Sequence, residues 1–114
     1  MPKNEYGAPL DRNGYAPSIL QDDENACFIC FGCAEKLDRH EVFGGPNREK
    51  SKRLGLWVSL CHWTHHVFGR DSVHQNAQTN RAVKQFAQKA AMDKYGWTND
   101  DFIREFGRNY LDTE

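Results

Sequence analysis

No stretch of this chain is apolar for long enough to serve as a signal sequence or a membrane span. The longest such run, from Leu54 to Leu60, is broken by Gly55 and Ser59. An excess of one charge is missing too. Fifteen Lys and Arg stand against sixteen Asp and Glu, a net charge of -1, and the isoelectric point lies near 6.5. A strongly basic coat for nucleic acid is thereby excluded, although local basic patches are not. There is no internal repeat, so no repeat array is expected. Apolar residues are sparse at 39% of 114, and mean hydropathy is -0.82. One domain of that length buries only a modest core, and a metal cross-link would help to hold it. A cytoplasmic protein is expected, in a compartment where thiols stay reduced. There, clustered cysteines read as metal ligands before they read as disulfides.

What is present is concentrated in the middle of the chain. Residues 1–24 hold Pro2, Gly7, Pro9, Gly14 and Pro17 and then Asp22-Asp23-Glu24. They read as a flexible N-terminal arm, with Tyr15, Ile19 and Leu20 available to pin it to a partner or to the domain. Residues 25–114 read as the domain. Within it, Leu37 to Phe43 predicts a strand ended by Gly44-Gly45-Pro46, and Asn47 to Arg53 a polar loop. Gly55 to Leu60 predicts a second strand with Leu56, Val58 and Leu60 on one face, and Cys61 to Phe68 a short helix closed by Gly69. Val83, Phe86, Ala87 and Ala90 recur at helical spacing over residues 77–95, ahead of Gly96 as a stop. Thr98-Asn-Asp-Asp101 resembles a capping box that starts a last short helix. The fold class is α+β, and these two C-terminal helices are scaffold. Trp57 and Trp63 are expected in the core.

Four cysteines and five histidines supply the chemistry. Cys27-Phe-Ile-Cys30-Phe-Gly-Cys33 contains two overlapping Cys-x-x-Cys pairs, each able to offer two thiolates from one turn. With Cys27 and Cys30 as one half of a zinc site, Cys61 and His65 form the other, four residues apart on one helix face. Cys33 competes with Cys27. His66 is turned about 100° from His65 around a helix, and so faces the first strand, which carries Asp38-Arg39-His40-Glu41. His40, His66 and His74 then form a second site for one divalent cation, Mg, Mn, Ni or Zn. His62 is assigned no role.

The run Leu37-Asp-Arg-His40-Glu-Val-Phe-Gly-Gly-Pro-Asn47-Arg, followed by Gly55-Leu-Trp-Val-Ser-Leu-Cys61, His65-His66 and Val73-His74-Gln-Asn76, resembles the HNH-type endonucleases of phages and prophages. The ending Phe102 to Leu111 is similar to theirs as well, so the likeness spans about residues 27 to 111. It implies a ββα-metal (His-Me finger) core stabilised by structural zinc, and a DNA phosphodiester hydrolase of little sequence specificity in a bacterial host cell. The family places a divalent ion between the first strand and the helix, a base on the first strand, and a loop asparagine that orients the base. By that likeness Asn47 is the asparagine, His66 the helix ligand and His74 an added ligand or phosphate contact.

Two positions depart from the family pattern. Where relatives carry a ligand followed by the base histidine, this chain has His40-Glu41. Either His40 is the ligand and Glu41 the base, or His40 is the base. Thr64 stands where many relatives have a fourth zinc cysteine, a task left to His65. Beside the site, Arg48, Lys50, Lys52 and Arg53, with Arg39, would meet a phosphate backbone. The alternative is a catalytically impaired HNH-like module that binds nucleic acid or a phage or host protein through the arm.

Overall fold

Strand β1 (Leu37–Glu41) pairs antiparallel with β2 (Trp57–Cys61), in a register running from Leu37 opposite Cys61 to Glu41 opposite Trp57. This two-stranded sheet, with helices packed around it, makes a small α+β domain; the computed structural model describes residues 2–31, 36–70 and 72–111. A 3-10 turn (Gly45–Asn47) and helix α1 (Arg48–Arg53) link the strands. One π-helical turn (His62–Val67) follows β2, then helices α2 (Ala77–Tyr95) and α3 (Asn99–Phe106). No helix among the described residues is long and apolar enough to cross a membrane.

The polar stretch expected as a loop is therefore helical. Its single buried side chain, Ser51, accounts for this. Ser51 Oγ donates to the Leu56 carbonyl and accepts from the Phe43 amide, tying the helix to both strand ends. Gly55 then turns the chain at φ +75°, a backbone conformation that L side chains rarely adopt.

Strand β2 was expected to alternate between core and solvent, yet all five of its residues are buried. The cover comes from the N-terminal stretch, which lies along the domain. Trp57 Nε1 donates to the Ala16 carbonyl at 2.7 Å, and Ser18 Oγ donates to the Trp57 carbonyl at 2.7 Å. Ser59 takes Gln21 Oε1 on its amide and the Phe28 amide on its carbonyl. The outer edge of the sheet is thereby closed. Trp57 is 2% exposed, as expected of a core residue, whereas Trp63 is 57% exposed and stacks on Phe68.

The two C-terminal helices begin and end where their caps dictate. The Asn76 side chain accepts from the Thr79 amide, and Gly96 closes α2 at φ +70°. Thr98 and Asp101 form the capping box of α3. Phe102 and Phe106 pack on Phe43 at ring distances of 5.4 and 4.8 Å. Gln88, fully buried on α2, donates to Asn99 and Asn109 and accepts from the Tyr110 amide, which anchors the C-terminal residues.

Candidate metal centres

The first cluster sits where the Cys27–Cys30 turn meets the end of β2 and the π-helical turn. One ligand atom each from Cys27, Cys30, Cys61 and His65 falls within 4.8 Å of all the others. Tetrahedral zinc, with Zn–S near 2.3 Å and Zn–N near 2.05 Å, sets S···S separations of about 3.8 Å and S···N of about 3.6 Å. Cys30 Sγ lies 3.5 Å from Cys61 Sγ, and Cys27 Sγ lies 3.6 Å from His65 Nδ1. The donors thus match both the ligand types and the spacing, and the cluster could hold a metal such as zinc. Burial raises the Cys27 thiol, but amide hydrogen bonds from Cys30, Cys61 and Ile29 outweigh it and hold the pKa below its ordinary value. Cys61 is in the disulfide state, so it serves a metal as thiolate only once that bond is reduced. Cys33, the competing thiol, lies outside the described residues. Cys61 closes a strand instead of starting a helix, as the sequence had suggested; the π-helical turn still brings His65 back to it.

The second cluster uses three elements. His40 comes from β1, His66 from the π-helical turn, and His74 from the turn before α2. Backbone bonds from Val73 to His65 and from His74 to His66 lock the last two together. His66 Nε2 and His74 Nε2 are 3.2 Å apart, and the His40 ring lies 5.2 and 5.6 Å from theirs. The three donors lie within 4.8 Å of one another. Two imidazoles sharing a tetrahedral ion would place their nitrogens about 3.3 Å apart. His40 Nε2 is buried with no hydrogen-bond partner among the described residues. Such a nitrogen suits a lone pair waiting for a metal or a proton. Burial first, then the charges of His66, His74 and Lys84, push the His40 pKa down to about 3. Burial and His66 lower that of His74.

A cleft of about 480 Å³ opens over these rings, walled by Tyr15, Arg39, Glu41, Arg48, Asn80 and Lys84. Glu41 is committed within this wall: one oxygen pairs with Arg48 Nε and the other accepts from Tyr15 Oη. Asn47 points elsewhere, with its amide donating to the Phe106 carbonyl at 2.9 Å. Each of the five basic residues has an anionic partner. Arg39 pairs with Asp11, Arg48 with Glu41, Lys50 with Glu105, Lys52 with Glu49 and Arg53 with Glu5. Only Arg39 and Arg48 of the five line the cleft.

Sequence reasoning missed four residues here. Asp38 accepts from both His62 and His66. Tyr15 enters from the N-terminal stretch, and Asn80 and Lys84 enter from α2. The four-residue spacing of Asn80 and Lys84 was the available signal for that pair. The chain matches no protein-family model, no curated protein and no solved structure.

Proposed function

We propose that the chain is a metal-dependent endonuclease of the HNH type, in which the sheet, the π-helical turn and the two metal clusters act as a ββα-metal core that hydrolyses DNA phosphodiester bonds. The observation that carries this reading is the meeting of His40, His66 and His74 beneath a cleft walled by Arg39, Arg48 and Lys84. His66 and His74 would hold one divalent cation through Nε2. Bound there, the ion supplies Lewis-acid polarisation of a phosphoryl oxygen and a more acidic water. His40, whose buried Nε2 has no hydrogen-bond partner among the described residues, would take the proton from attacking water. Arg48, braced by Glu41, and Lys84 bind the phosphate oxygens. Imidazole donors favour Ni or Zn over Mg.

A second reading has its own support. With Glu41 held by Arg48 and Tyr15, and Asn47 by Phe106, neither residue is placed to orient a base. A module that binds DNA without cutting it fits that arrangement. Plasmid nicking with Mg, Mn and Ni, alongside a DNA-binding measurement, separates the two. The nuclease reading expects nicking that falls about 10²–10⁴-fold in His40→Ala. Intact plasmid with retained DNA binding selects the second reading, and intact plasmid without binding overturns both.

A further inference from the structure

Asp38 sits two residues before His40 on β1, and the period-two alternation of a strand puts both side chains on one face. The π-helical turn crosses that face. His66 Nδ1 lies 2.8 Å from Asp38 Oδ2, and His62 Nδ1 approaches the same oxygen more closely still. The other Asp38 oxygen is 3.8 Å from Lys36 Nζ. An ionised carboxylate only accepts hydrogen bonds, so each imidazole must carry its proton on Nδ1.

We propose that Asp38 is a positioning residue that, with His62 as its brace, fixes the tautomer and ring orientation of His66 so that the Nε2 lone pair is turned toward His40 and His74. This deepens the metal-centre reading above and rests on it for the identity of the bound group. With its proton held on Nδ1, His66 has one nitrogen left for coordination, Nε2. That atom is the one 3.2 Å from His74 Nε2. A carboxylate behind a metal-ligating imidazole also makes the imidazole a stronger donor. His62 thereby gains a reason to be there. It fills the second lone pair of the Asp38 oxygen, and its ring packs edge-on against Trp63 at 4.9 Å, which keeps the carboxylate from rotating away. The strand pattern Asp38-x-His40 grips the turn twice, once through Asp38 behind His66 and once through the His40 ring at 5.2 Å.

The test is long-range ¹⁵N–¹H NMR on the metal-free, reduced protein, with Ni binding measured by calorimetry. Parent protein should show His66 protonated on Nδ1. Asp38→Ala should move that proton to Nε2 and weaken Ni binding about 10–100-fold, with Asp38→Asn falling between. A parent protein with the His66 proton on Nε2 overturns the proposal, as does an Asp38→Ala variant with unchanged tautomer and unchanged Ni affinity. If Asp38→Ala does not fold, the parent tautomer and Asp38→Asn decide. Since the tautomer is read without metal or DNA, intact plasmid beside an Nδ1-protonated His66 removes the nuclease reading and leaves this one standing.

Discussion

Replacing Gly55 with Ala asks how firmly residues 16–19 are held against the sheet. A Cβ at position 55 would stand 2.4 Å from the Pro17 carbonyl oxygen, 3.2 Å from Ile19 Cγ2 and 3.3 Å from the Ile19 amide nitrogen. Two of those atoms belong to the backbone, so no side-chain rotation relieves the clash. Holding an alanine at φ +75° costs about 1–2 kcal/mol before any contact is counted. Moving residues 17–19 aside then breaks the Ile19 amide bond to the Gly55 carbonyl, 3.0 Å long. It also strains the bond from Ser18 Oγ to the Trp57 carbonyl. Each of these contributes about 1 kcal/mol. Gly55→Ala should therefore lose about 3 kcal/mol in urea unfolding. Trp57 provides a second readout, because its indole is 2% exposed and bonded to the Ala16 carbonyl. Lifting the segment wets the ring, so the folded variant should emit at longer wavelength. A loss under about 0.5 kcal/mol, the range of an ordinary surface change, with unshifted emission would refute the packing of this segment on Gly55.

Two further outcomes follow from other parts of the molecule. Burial, with Tyr6 and Glu5 nearby, raises the Tyr95 phenol from 10.0 to about 12. The unfolded chain thus releases this proton first, and stability should fall as pH rises from about 10 towards about 12. Tyr95→Phe loses the hydrogen bond to the Leu54 carbonyl, about 1 kcal/mol at pH 8, but should show a shallower alkaline decline. Equal slopes for parent and variant in urea midpoints at pH 8, 9 and 10.5 would contradict this. At the cysteine cluster, reduced parent protein should carry zinc, and Cys30→Ser should lose most of it. Its Tm should drop by more than about 10 °C, on a scale of roughly 4–8 °C per kcal/mol for a domain of this size. Elemental analysis finding no zinc in reduced parent protein would remove the structural-metal assignment.

How much of this was legible before the structure depended on the range of the interaction. The span of α2 was readable from its apolar spacing and from Gly96, which acts on its own helix end, and the Thr98–Asp101 box does the same for the start of α3, whereas the Asn76 cap emerged only with the structure. The ligand groups were readable because Cys-x-x-Cys and paired histidines offer donors whatever surrounds them. Helix α1 was not, since its stability comes from Ser51 reaching residues on both strands, while its other side chains read as an ordinary solvated run. Asp38 was visible as a residue but not as the acceptor for His62 and His66, which lie 24 and 28 positions away. The exposure of Trp63 was hidden for a related reason, because nothing local tells which face of a single π-helical turn meets the core.

The amino-acid order alone thus determined where α2 stops and where α3 starts, and which side chains carry atoms able to bind a metal, because capping and donor chemistry are settled within a few residues. Only the tertiary structure decided that the N-terminal stretch seals β2, that Glu41 and Asn47 are held by Arg48, Tyr15 and Phe106, and that Asp38 backs His66. Those outcomes depend on which distant groups arrive beside one another once the sheet closes, and no local spacing encodes that.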